Sequence, residues 1–143
     1  MEWVSKKEIF RQADVITLHV PLTPRTRSLV GDVEISLMKS DALLINTSRG
    51  GVVDEQALFE ALKSQKIAGA AVDVFEEEPY RGPLADLPNC LLTSHMGSMS
   101  LDCRSRMEIE ATEEAIRFLK GQPLLSPVPQ EEYDLQSEFK SEP

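Results

Sequence analysis

Four short apolar segments, rich in β-branched residues, constrain the fold of this chain more than any other feature. They are residues 15–20 (VITLHV), 42–47 (ALLINT), 70–75 (AAVDVF) and 90–93 (CLLT). Each is too short for a typical helix. Near-continuous apolarity predicts strands covered on both faces, as in a parallel sheet.

The connecting stretches have helical character. "SKKEIFRQA" precedes the first strand, and "GDVEISLMKS" joins the first to the second. "DEQALFEALKSQ" joins the second to the third. Asp54 suits its N-cap, and Ala57, Leu58, Ala61 and Leu62 fall on one face. The longest helix is predicted over residues 101–120, with Met107, Ala111, Ala115 and Phe118 along one side. Gly121 and Pro123 stop it. Alternating strands and helices at this spacing give right-handed βαβ units and an open parallel sheet. At 143 residues the chain is long enough for one domain with a core. That domain is expected over residues 1–122. Residues 123–143, with five acids and one lysine after Pro123, are expected to form a loosely ordered tail.

Ligands of such sheets bind beyond the carboxyl ends of the strands. Those ends hold His19-Val20-Pro21, Asn46-Thr47-Ser48-Arg49, Asp73 and Ser94-His95. Arg49 is followed by Gly50-Gly51, which let the backbone turn sharply. It is either an exposed loop arginine or a planar cation that grips a carboxylate through two hydrogen bonds. Glu78 belongs to "EEEP", which reads as a solvated acidic loop or as one functional acid among three. Asp73 interrupts an apolar strand and needs a partner there, either a ligand amide or a backbone N–H. His95 is a structural histidine or a proton donor near neutral pH. His19 is expected to be packed or capped.

The combination is more specific than its members. An arginine, a carboxylate and a histidine at successive strand ends suit reduction of a 2-keto acid. The arginine holds the carboxylate and polarises the ketone. The histidine protonates the oxygen as hydride arrives from nicotinamide, and the glutamate orients the histidine.

Composition narrows the partners. With 15 basic and 24 acidic residues the net charge is −9, which argues against nucleic acid and anionic membrane surfaces. No apolar stretch approaches a membrane span, and the start of the chain lacks a signal-peptide layout. Cys90 and Cys103 have no metal-like spacing, so no metal site is expected, and two reduced thiols fit a cytoplasmic protein.

The motifs "ADVITLHVPLTPRTRSLV", "LLINTSRGGVVDEQAL", "IAGAAVDVFEEEP" and "LPNCLLTSHMGS", in this order and spacing, resemble the D-isomer-specific 2-hydroxyacid dehydrogenases. This is the family of phosphoglycerate, glycerate, formate and D-lactate dehydrogenases. The likeness runs from about Ala13 to Gly121. It implies that Arg49 anchors the substrate carboxylate, Glu78 supports, and His95 donates the proton. It implies that Asp73 bonds the nicotinamide carboxamide, that Val20 and Pro21 line the adenosine side, and that Thr47, Ser48 and Arg49 line the nicotinamide side. His95 through Gly97 would also approach the cofactor. Ser94 stands where the family usually has proline.

The family's G-x-G-x-x-G belongs upstream of Val15, where fourteen residues contain no glycine. The chain therefore resembles the carboxyl-terminal half of the cofactor domain: a partial Rossmann-type α/β sheet of about four strands lacking its first βαβ half. The implied cofactor is NAD, with NADP left open because the discriminating residue follows an earlier strand. The implied substrate is a small 2-hydroxy or 2-keto acid. Alone, the chain is expected to be inactive and to self-associate, or to need a complementing amino-terminal half. The alternative is a non-catalytic binding or dimerisation module derived from the same family.

Overall fold

The structure, a computed structural model, describes residues 3–131 and 133. It forms two compact units, Met1–His95 and Met96–Pro143. The first unit is built from α1 (Lys6–Gln12), β1 (Val15–Leu18), α2 (Asp32–Leu37), β2 (Leu43–Asn46), α3 (Glu55–Lys63), β3 (Gly69–Val72), a 3-10 turn (Pro83–Asp86) and β4 (Cys90–Leu92). All four strands are parallel, in the order β1-β2-β3-β4. The expected α/β parallel sheet is therefore present. Its strands stop one to three residues earlier than predicted, because the chain turns out of the sheet at each carboxyl end.

Each helix of this unit starts on an identifiable cap. Ser5 Oγ accepts from the Glu8 N–H at 3.3 Å at the head of α1. The Glu34 carboxylate accepts from the Gly31 N–H at 3.2 Å ahead of α2. Asp54 Oδ1 accepts from the Ala57 N–H at 2.9 Å, as its place in the sequence predicts. Ala57, Leu58, Ala61 and Leu62 are buried. They join one core with Phe10 of α1, Ile35 of α2, and Ile16, Leu18, Leu44, Ala70 and Val72 of the strands.

One expectation about the sheet fails. The strands are not covered on both faces: burial alternates along β1, with Ile16 and Leu18 inside and Val15 and Thr17 outside. Val15, Leu43 and Leu91 are 52%, 42% and 66% exposed. The physical reason is that α1, α2 and α3 all feed the same core, so only one face of the sheet is packed. His19 is also corrected. It lies past the end of β1, exposed rather than packed, with Nε2 2.9 Å from Thr17 Oγ1.

The second unit contains a 3-10 turn (Met96–Ser98) and α4 (Leu101–Leu119). Ser100 Oγ caps α4 by accepting from the Cys103 N–H at 3.2 Å. No residue of α4 is buried, and Met107 and Phe118 are 55% and 72% exposed. Gly121 follows the helix with φ +65°, the left-handed conformation of a helix stop. The Leu125 N–H donates to the Glu114 carboxylate at 3.0 Å. Most of the expected acidic tail lies outside the described residues. Among the described residues, no helix is long and apolar enough to cross a membrane.

Candidate active site

The carboxyl ends of β1, β2 and β3 and the segment after β4 bring the candidate residues together. The loop after β2 is organised by Asn46, a buried amide closing an apolar strand. Its Oδ1 accepts from the Ser48 N–H at 3.1 Å and from the Ser48 hydroxyl at 2.9 Å. Its Nδ2 donates to the Arg49 carbonyl at 3.1 Å. Ser48 is thereby buried, while Thr47 and Arg49 are exposed. Arg49 Nη1 donates to the Ser48 carbonyl at 2.6 Å.

Gly50 then lets this loop touch the one after β3. A Cβ on Gly50 would sit 2.0 Å from the Phe75 carbonyl oxygen and 2.1 Å from its carbon. Only glycine permits that backbone approach. It holds Arg49 beside the segment that carries Glu78. A second tie is the Glu76 N–H, which donates to Glu55 Oε1 of α3 at 2.8 Å.

Glu78 uses both oxygens. Oε1 accepts from the Phe75 N–H at 3.1 Å, and Oε2 lies 3.1 Å from His95 Nδ1. The Phe75 N–H, and then the His95 ring, hold this carboxyl below its ordinary value. An ionised carboxylate only accepts, so Nδ1 carries the proton of that bond. The opposite ring nitrogen is then the one that can take up and release a proton. His95 itself adopts φ +53°, in the left-handed region, and its N–H donates to the Asp73 carbonyl at 2.8 Å.

Asp73 follows β3 and is buried. Its Oδ1 accepts a short hydrogen bond from the Thr93 hydroxyl, a partner that neither reading of the sequence supplied. Register explains it: Val72 pairs with Leu92 across β3 and β4, so the next residues meet.

Arg49, Glu78 and His95 line a single cavity of about 420 Å³ together with Leu22, Arg27, Gly50, Phe75 and Glu76. Val20 is half-buried and Pro21 exposed at the end of β1. Gly97 falls in the second unit, in the turn after His95, where a Cβ would meet nothing within 4 Å. Thr93 and Arg27 were not singled out from the sequence, and Asn46 was placed at a strand end without a role. An amide ending an apolar strand was the available signal for Asn46. Cys90 is no candidate nucleophile, since burial pushes its thiol up to about 11. Among the described residues no group of three or more His, Cys, Asp or Glu side chains could hold a metal.

Residues 1–97 match the model of the D-isomer-specific 2-hydroxyacid dehydrogenase NAD-binding domain. The chain belongs to this family. It is 46% identical over 116 residues to a D-3-phosphoglycerate dehydrogenase of Methanocaldococcus jannaschii, covering 80% of this chain and 22% of that protein. It is 47% identical over 122 residues to a glyoxylate reductase of Thermococcus litoralis, covering 85% and 37%. Among solved structures, a glyoxylate reductase from Paecilomyes thermophila superposes with a TM-score of 0.84 at 36% identity, over 90% of this chain and 39% of the other. The chain thus spans well under half the length of these dehydrogenases.

The family's cofactor is NAD, and the residues present fit its nicotinamide end. The buried Asp73 carboxylate, already an acceptor for a hydroxyl, is chemically matched to a carboxamide N–H, and exposed Thr47 sits at the end of the neighbouring strand β2. The seven glycines include no pair with the G-x-G spacing that would serve the pyrophosphate.

Proposed function

We propose that this chain supplies the proton-transfer and carboxylate-anchoring part of an NAD(P)-dependent 2-hydroxyacid dehydrogenase. The observation that carries the reading is the Glu78–His95 pair at 3.1 Å in the same cavity as Arg49. NAD supplies or accepts the hydride. Arg49 binds the substrate carboxylate, its planar fork matching the two oxygens. As hydride adds to the keto carbon, the carbonyl electron pair moves onto oxygen, and His95 Nε2 delivers its proton there. In the oxidative direction the same nitrogen takes the hydroxyl proton. Glu78 orients the imidazole and fixes the proton on Nδ1. Asp73 would hold the nicotinamide carboxamide, with Val20, Pro21, Thr47 and Ser48 along the dinucleotide. The two free thiols support a reducing, cytoplasmic setting.

The test is a chimera in which this chain replaces the matching segment of the Thermococcus litoralis glyoxylate reductase. The chimera is expected to oxidise NADH with glyoxylate, and R49A and H95A each to lose roughly 10²–10⁴-fold in kcat/KM. Full turnover in either variant would contradict the role assignment.

A second reading, a non-catalytic binding or dimerisation module, is favoured by the exposed apolar side chains Val15, Leu43 and Leu91 and by the open edge at β1. On either reading the β1 edge is where a second copy or a complementing amino-terminal half would pair. Sedimentation of the isolated chain tests this: concentration-dependent self-association is expected, and a monomer at all concentrations would contradict it.

A further inference from the structure

The cavity that holds Arg49 contains a second guanidinium. Arg27 lies between β1 and α2 and lines the same space as Arg49, Gly50, Glu78 and His95. Its Nη1 lies 3.3 Å from the point a Cβ on Gly51 would occupy. The side chain is thus laid against the turn that follows Arg49. Neither Arg27 nor Arg49 takes part in an ion pair among the described residues.

The carboxylates of the cavity do not change this. Glu78 is committed to the Phe75 N–H and to His95. Glu76 Oε1 lies 3.5 Å from the same point above Gly51, flanking Arg27 without forming an ion pair with it. Arg27 and Arg49 thus line the same cavity as two cations without carboxylate partners, and an anion that reached both would be held by each. A substrate with one carboxylate occupies only one of them.

Resting on the hydroxyacid reading above, we infer that Arg27 is a specificity-determining residue that selects a 2-hydroxy or 2-keto acid with a second anionic group on its side chain. Arg49 holds the carboxylate next to the reacting carbon, and Arg27 holds the distal anion. A charge-assisted contact of this kind in a partly screened cavity is worth about tenfold in affinity.

D-lactate and D-malate isolate that contribution, because malate is lactate with a carboxylate on its third carbon. Both are titrated into the 143-residue chain and followed by amide chemical shifts, for wild type, R27Q, R27K and R49Q. Wild type is expected to bind malate about tenfold more tightly than lactate. R27Q should bring the two acids to equal affinity while leaving lactate unchanged, and R27K should keep part of the preference. A wild-type chain with no preference for malate overturns the inference. So does an R27Q chain that keeps the preference or weakens both acids equally. R49Q reports separately on the hydroxyacid site and should weaken both acids. Lactate binding that survives R49Q, while R27Q still erases the malate preference, would remove the hydroxyacid reading and leave Arg27 as the selector of the second anion.

Discussion

Nδ1 of His95 lies 3.1 Å from Oε2 of Glu78, across seventeen residues of sequence. The contact is built by backbone as much as by side chains. The Phe75 N–H fixes the other oxygen of Glu78, and the Asp73 carbonyl fixes the N–H of His95. Glu78 is thus held within its own segment after β3, and His95 from the end of that neighbouring strand, before the two side chains meet.

This arrangement predicts a pH dependence. The Glu78 carboxyl is held below its ordinary value of 4.5, first by the Phe75 N–H and then by His95. A depressed carboxyl stabilises the fold above its unfolded value. That contribution is lost as pH falls through the lower, folded value. Wild type should therefore melt higher than E78Q at about pH 7, and the gap should close below about pH 4. Melting curves across that range check it. A gap that widens on acidification would reverse the sign of the argument.

Gly50 is predicted to be intolerant and Gly97 tolerant. A Cβ at Gly50 would meet the Phe75 carbonyl at 2.0 Å, a backbone atom that cannot rotate away. G50A should cost about 1–3 kcal/mol in urea unfolding. At Gly97 a Cβ meets nothing within 4 Å, so G97A should stay within about 0.5 kcal/mol of wild type. Equal effects at the two positions would show that the loops after β2 and β3 do not touch as described.

Asn46 should behave as a structural keystone of the Arg49 loop. Its amide makes three hydrogen bonds, to the Ser48 N–H, the Ser48 hydroxyl and the Arg49 carbonyl. N46A leaves these groups without partners in a buried place. It should cost about 2–3 kcal/mol. N46D keeps the acceptor and loses the donor, and should fall between wild type and N46A. Chemical denaturation of the three chains gives the order, and an N46A chain as stable as wild type would contradict it.

Much of this was legible in the sequence. The four strands, the Asp54 cap and the buried face of α3 follow from apolar periodicity and a helix-start signal, which are local properties. Arg49, Glu78 and His95 could be grouped because parallel topology sends successive strand ends to one rim. What was not legible depends on register and on layers. Thr93 meets Asp73 only because Val72 pairs with Leu92. Arg27 enters the cavity from a loop whose path is set by neither strand nor helix spacing. The open face of the sheet was hidden because apolar runs such as "ALLINT" look the same whether one face is packed or two. His19 carried no local signal that it would sit outside, beyond the last residue of β1.

The central claim is that Glu78 acts through His95, so that the two form one functional unit. A double-mutant cycle in the glyoxylate reductase chimera tests it most directly, with kcat/KM measured for E78Q, H95Q and the double variant. H95Q should lose roughly 10²–10⁴-fold, and adding E78Q to H95Q should cost nothing further. Losses that multiply in the double variant would show that the two residues act independently, and would contradict the account.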